Sequence, residues 1–467
     1  MSTKLFGTDG VRGLANIYPI NTDFAFDLAK ILCDEVCINK KKVAIGKDTR
    51  ISGDMLEAAL IAGFTSNGIS VISLGIVPTP LVSLKTSQLD VDMALMITAS
   101  HNPYHDNGIK LVNNNGDKFS DEFYAKIERL LEQKQCAKKN NNNKQEQQQC
   151  NNHNNNKSLS PIGKVEKIPS IVEDYIEDMR KIAPNYKALQ KLRVVIDCAN
   201  GAFYHILPQT FKDLGAGVIS INNEPNGYNI NENCGTQHTK NLADTVIASH
   251  ANFGIAVDGD GDRIILVDNK GREIDGDQLI CFLAQYMKKL GKLTNNCVIT
   301  TEWSNIGLQK YLEDNDFHYY QSNVGERYVI DLMKKHNASL GGEIVGHIVL
   351  SEYAKTGDAL ATAIVLSLAY LDDGRKMDEI FPIFKPYPHI EEKIRFSKKE
   401  LMEQVTDFDD VKKAISNATK TLNNKGRLLV RKSGTEPVLK LRAEGQELSL
   451  IKSIIEDLKN IIMKYQK

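Results

Sequence analysis

No surplus of either charge, no paired cysteine motif and no membrane-length apolar run occurs in this 467-residue chain. A formal net charge of −1 leaves no overall attraction for nucleic acid or an anionic membrane surface, so any handling of anions has to be local. None of the eight cysteines forms a Cys-x-x-Cys pair, and Cys33 and Cys37 fall at helical spacing inside an apolar pattern. Buried or idle thiols are therefore expected, rather than disulfides or zinc. No basic and apolar leader precedes Phe6-Gly7-Thr8-Asp9, so no signal peptide is expected and a cytoplasmic location follows. The longest nearly apolar stretch, 359–371, is too short to span a bilayer and carries Thr362 and Ser367; it reads as a buried helix.

What is present is a chain too long for one core. Phe24, Leu28, Ile31, Leu32 and Val36 recur on one helical face, and Val43-Ala44-Ile45 follows as a strand. A helix over 54–65 and a strand over 69–74 continue the alternation, which implies a parallel sheet with helical crossovers and an α/β fold class. The pattern divides the chain into units at 1–135, 161–258, 259–375 and 385–467. Between the first two, 136–160 consists of Asn, Gln and Lys with almost no apolar residue, a composition expected to stay disordered because it cannot offset its ordering entropy. In the last unit Ile451, Ile454, Ile455, Leu458, Ile461 and Ile462 form a helical stripe read as core.

Four stretches carry chemistry. The buried run Met93-Ala94-Leu95-Met96 leads into Ile97-Thr98-Ala99-Ser100-His101-Asn102-Pro103, which sets a hydroxyl beside an imidazole on the turn where a strand ends. Gly108, just before Lys110, is expected to let the backbone approach a ligand. Asp258-Gly259-Asp260-Gly261-Asp262-Arg263 places three carboxylates at alternate positions after the strand 254–257, a donor set suited to a hard cation such as Mg²⁺. An EF-hand would need Gly and Glu where Arg263 and Asn269 stand, which removes that reading; an aspartyl-nucleophile phosphatase stays open. Arg431-Lys432-Ser433-Gly434-Thr435-Glu436-Pro437, between two strands, offers a guanidinium, hydroxyls and close backbone N–H groups to a phosphate. The fourth, Gly342-Glu343-Ile344-Val345-Gly346-His347, takes its meaning from the resemblance described next.

Together, and in this chain order, these stretches resemble the loops of the α-D-phosphohexomutase superfamily over nearly the whole chain. The resemblance implies three consecutive α/β domains with mixed, mostly parallel sheets plus a smaller C-terminal α+β domain. It makes Ser100 a phosphoserine, and His101 and Lys110 candidates for proton transfer and charge stabilisation. Arg12, in the N-terminal stretch Phe6 to Gly13, would reach into the site. It assigns Mg²⁺ to Asp258, Asp260, Asp262 and the phosphorylated Ser100, the phosphoryl group to Arg263, the sugar to Glu343 and His347, and phosphate to Arg431, Ser433, Gly434 and Thr435. The sugar loop departs from the pattern: Val345 stands where the superfamily usually has Ser, a change worth about 1 kcal/mol if a sugar hydroxyl loses its partner.

Ser52 to Leu60, Asp197 to Ala202, Asn229-Ile230-Asn231 and Val324 to Val329 are most similar to the branch working on glucosamine phosphates. That implies interconversion of glucosamine 6-phosphate and glucosamine 1-phosphate, primed by catalytic amounts of sugar bisphosphate and feeding amino-sugar nucleotide and peptidoglycan precursors. The partner is then a small phosphosugar, with no nucleic acid or membrane; oligomeric state stays open. The alternatives are a phosphomannomutase or phosphoglucomutase, or a phosphosugar binder without turnover.

Overall fold

The computed structural model describes residues 5–7, 10–37, 39–142, 161–432 and 437–466, with backbone alone at 137–142 and 424. Three α/β units and a smaller C-terminal unit follow one another. The first sheet runs in the order Val11–Leu14, Asp106–Asn113, Met93–Ile97, Lys42–Lys47, Ser70–Ile76, Val165–Lys167. The second runs Glu273–Ile274, Ile264–Asp268, Phe253–Val257, Arg193–Asp197, Gly217–Ile221, and the third His318–Ser322, Cys297–Thr301, Leu340–Gly342, Ile348–Leu350. In each, the inner pairs are parallel and one edge is antiparallel. The last unit has an antiparallel sheet, His389–Arg395, Val438–Gly445, Gly426–Lys432.

Apolar runs decide the inner strands. Met93–Ile97 and Phe253–Val257 are buried at every residue because helices cover both faces. The helix Thr22–Glu35 is capped by Asn21, whose side chain accepts from Phe24 N at 3.0 Å, and it packs its apolar face on Ser52–Thr65. The helices meet at Gly63, where an added Cβ would lie 2.6 Å from Ala29 Cβ. One apolar core runs through the first three units, and the C-terminal stripe Ile451, Ile454, Ile455, Leu458 and Ile462 sits in a core of its own. All described cysteines are free, and only Cys136 is exposed. Among the described residues no helix is long and apolar enough to cross a membrane.

Three boundaries differ from the sequence reading. The helix Asp121–Asn142 continues beyond residue 135 into the Asn-rich tract, where Ala137, Lys138 and Lys139 are good helix formers. The rest of that tract, 143–160, lies outside the described residues. Past it, Val165–Lys167 pairs with Ser70–Ile76, so residues placed in the second unit complete the first sheet. The second sheet continues to Ile274, since the buried strand Ile264–Asp268 folds back on Phe253–Val257. The acidic turn is thus inside the second unit, not at its end.

The apolar stretch 359–371 is a buried helix, as read, and its start shows how the interior handles a charge. Asp358 accepts from Leu360 N at 2.9 Å, Ala361 N at 3.0 Å and the Tyr175 hydroxyl at 2.8 Å. Burial still pushes its carboxyl up to about 6. Asp358→Ala is expected to lower unfolding stability by about 2–4 kcal/mol, from a lost cap and an unpaired buried hydroxyl, measured by denaturant titration.

Candidate active site

Each of the three large units uses the same device: its last inner strand ends in a loop and returns antiparallel. Ser100 lies on the loop between Met93–Ile97 and Asp106–Asn113, the acidic turn between Phe253–Val257 and Ile264–Asp268, and Glu343 to His347 between Leu340–Gly342 and Ile348–Leu350. Lys110, read as part of the serine loop, stands on the return strand, with its ammonium brought back to the loop's neighbours.

Ser100 adopts φ 54°, a left-handed conformation that is uncommon for a residue with a side chain. Distant groups hold it there. Its N–H donates to Thr98 Oγ1 at 2.9 Å, and that hydroxyl donates to Asp48 Oδ2 at 2.7 Å. The buried Arg50 guanidinium donates to the carbonyls of Ser100 (2.9 Å), Asn102 (2.7 Å), Asp106 (3.1 Å) and Pro103, and pairs with Asp48 at 3.0 Å. From the second unit, Asn231 Nδ2 reaches the Ser100 and Asn102 carbonyls at 2.8 and 3.0 Å. Gly108 serves this packing rather than a ligand: a Cβ there would lie 2.5 Å from Val11 O and 2.6 Å from Thr98 O.

The serine hydroxyl donates to Asp258 Oδ2 at 2.7 Å. Ligand atoms of Asp258, Asp260 and Asp262 lie within 4.8 Å of one another, all three residues being buried. Lys110 Nζ bridges Asp260 (2.7 Å) and Asp262 (2.8 Å), and Thr79 Oγ1 donates to Asp260 Oδ2 at 2.5 Å. The glycines allow this crowding: a Cβ on Gly259 would lie 2.7 Å from Ser100 O, and Gly261, at φ +75°, packs under the Phe203 ring. Burial, then Asp262 and Asp260, push the Asp258 carboxyl well above its ordinary range. With Asp260 Oδ1 buried and unpartnered, the donor set fits a hard divalent cation.

His101 Nδ1 lies 3.4 Å from Ser100 Oγ and 2.9 Å from Arg263 Nη1. Burial, reinforced by Arg263 and Arg12, lowers its pKa to about 3, so the ring is neutral at pH 7. Arg263 is placed by its own N–H, which donates to Asp258 Oδ1 at 3.1 Å.

His101 and Arg263 open onto a cleft of about 840 Å³ that Arg12, Glu343, His347 and Arg431 also line. Ser100, Lys110 and the acidic triplet are buried beside it. Ser433, Gly434 and Thr435 lie outside the described residues. Val345 is 40% exposed and faces the cleft between the two polar members of its loop.

Comparison with known proteins matches this layout unit by unit. The family described as Phosphoglucomutase/phosphomannomutase matches with its alpha/beta/alpha domain I at residues 3–138, domain II at 173–271, domain III at 275–387 and its C-terminal domain at 391–461. The chain belongs to this family. Phosphoglucosamine mutase of Bartonella quintana (strain Toulouse) is 39% identical over 464 residues, 99% of this chain and 96% of that protein. Phosphoglucosamine mutase of Rhizobium johnstonii is 40% identical over 98% of each chain. Among solved structures, a phosphoglucomutase/phosphomannomutase family protein of Burkholderia thailandensis superposes with TM-score 0.78 at 21% identity, over 100% of this chain and 98% of that one. Aspergillus fumigatus N-acetylphosphoglucosamine mutase, in complex with GlcNAc-6P and magnesium, gives 0.67 at 16%, over 100% and 96%. These two share the fold.

The sequence reading of this family member missed Asp48, Arg50, Thr79, Thr98 and Asn231. One signal was available: Asp48-Thr49-Arg50 follows the strand Lys42–Lys47 at the same sheet edge as the serine loop. Mg²⁺ at about 100 times its Kd is expected to stabilise the fold by about 2.7 kcal/mol, and Asp260→Asn to lose that response, read by thermal unfolding with and without chelator.

Proposed function

We propose that this chain interconverts glucosamine 6-phosphate and glucosamine 1-phosphate by passing a phosphoryl group through Ser100, with a bisphosphorylated sugar as the intermediate. The observation that carries this reading is the Ser100 hydroxyl at 2.7 Å from Asp258 within a triplet of buried carboxylates. A plain phosphosugar binder has no use for a strained serine held against three acids.

In the resting enzyme Ser100 carries the phosphoryl group, placed there by a sugar bisphosphate. Mg²⁺ on Asp258, Asp260 and Asp262 supplies charge neutralisation for that group when bound. Arg263, fixed by Asp258, faces its oxygens, and the Lys110 ammonium adds a second positive charge beside the triplet. The free sugar hydroxyl attacks phosphorus; the new P–O bond to the sugar forms as the P–Oγ bond of Ser100 breaks. The hydroxyl proton leaves as the new P–O bond forms and ends on Ser100 Oγ as that oxygen departs, with His101 and Lys110 the groups placed to carry it. The bisphosphorylated sugar then presents its other phosphate, the same bonds exchange in reverse, and Ser100 is phosphorylated again. Glu343 and His347 hold the sugar in either orientation, and Arg431 with Ser433, Gly434 and Thr435 holds the phosphate that is not reacting.

Ser100→Ala is expected to reduce turnover of glucosamine 6-phosphate by at least about 10³-fold with Mg²⁺ and bisphosphate present, measured by formation of the 1-phosphate. Phosphatase treatment of the wild type should lower its intact mass by one phosphoryl group, and that of Ser100→Ala not at all. Undiminished turnover in the variant would end the proposal. Val345 adds a branched apolar surface to the sugar loop, so Val345→Ser is expected to change the preference between glucosamine, glucose and mannose phosphates by up to about tenfold in kcat/KM.

A further inference from the structure

We propose that Glu326 is a positioning residue for the sugar-binding loop: it ties His347 to the first unit, so that the imidazole is held beside Glu343 in the cleft. The inference rests on the mutase reading above and names what orients its sugar.

Glu326 opens the helix Glu326–His336 and is 5% exposed. Its Oε1 accepts from Gly357 N at 2.6 Å and from the Thr356 hydroxyl, and lies 2.8 Å from His347 Nε2. Both groups are buried, so this ion pair is shielded from water. Glu326 Oε2 meets Lys118 Nζ, which comes from the first unit. On its other side the His347 ring has Nδ1 3.8 Å from Glu343 Oε2, and the N–H of Gly325 donates to Glu343 Oε1 at 3.1 Å. Lys118, Glu326, His347 and Glu343 thus form a row of alternating sign that ends in the cleft. Gly325 and Glu326 between them touch both polar side chains of the sugar loop.

The helix dipole favours a carboxylate in the first turn, and Glu326 goes beyond that role by meeting Gly357, Thr356, His347 and Lys118. Here the charge is matched to the one imidazole of the loop. Burial alone would lower the His347 pKa; Glu326, then Asp262, more than offset it and raise it to about 9. The same helix is joined to the first unit by two other pairs, Arg327 with Asp121 at 2.7 Å and Lys334 with Asp117 at 2.9 Å. Neutralising Glu326 therefore leaves the unit interface in place.

The test is steady-state kinetics on the full chain with glucosamine 6-phosphate, Mg²⁺ and bisphosphate primer. Glu326→Gln keeps shape and acceptor but not charge, and is expected to raise KM about tenfold while kcat changes by less than about threefold. Glu326→Asp should recover part of the loss. In a His347→Gln background, Glu326→Gln should add nothing further, because its effect runs through that ring. A KM equal to wild type, a loss confined to kcat, or full additivity with His347→Gln would each overturn the inference. Should Glu326→Gln not fold, Glu326→Asp carries the test: a raised KM with kcat kept supports the proposal, and a wild-type KM overturns it. No turnover by the wild type would sink the mutase reading, and this inference with it.

Discussion

Three carboxylates brought together in the interior repel one another, and a fold that keeps them there must supply positive charge and directed donors from elsewhere. Asp258, Asp260 and Asp262 impose that constraint, and much of the molecule answers it. Lys110 arrives from a return strand of the first sheet, and Thr79 from the start of the helix Thr79–Thr86. The turn's own backbone is fastened on two sides, with Thr79 N donating to Asp260 O at 2.9 Å and Ala359 N to Gly261 O at 3.1 Å. An acidic turn at the surface would need none of this. Here the first and third units close on the second through it.

The serine loop meets a related demand in a different way. A left-handed residue with a side chain is held by carbonyl acceptors all turned towards one guanidinium, and Arg50 is itself buried without penalty because Asp48 and four carbonyls use its donors. The hydroxyl is aimed by the backbone rather than by side-chain packing. Because each loop is a hairpin at the end of an inner strand, the sheets act as rigid mounts, and the chemistry is confined to a few residues between them. The cleft wall nearest the last unit is built likewise from crossed contacts. Trp303 donates its indole N–H to Glu391 at 2.9 Å, and the buried Arg442 pairs with Glu391 and Glu444 while lying over the indole.

Much of this was legible in the chain. Apolar runs such as Met93–Ile97 and Phe253–Val257 announce buried strands, the alternation with helices announces the class, and Asp258 to Arg263 announces three acids that could hold a cation. Misreadings arose where a strand's own pattern does not announce its partner. Val165–Lys167 carries a weak apolar pattern and owes its place to Ser70–Ile76, across the Asn-rich tract. Ile264–Asp268 could not be assigned to the second sheet until its antiparallel partner was known.

Local order along the chain is enough to specify which segments are helix or strand, where a hydroxyl and three acids occur, and hence the class of chemistry, because periodicity and donor type are properties of neighbouring residues. Which buried group answers which charge was settled on folding: Arg50 with the serine-loop carbonyls, Asn231 with the same carbonyls from the second unit, Glu326 with His347 and Lys118. The physical reason is that a desolvated charge is satisfied by whatever donor lies within about 3 Å of it, and such donors come from strands and loops more than a hundred residues apart as readily as from adjacent ones.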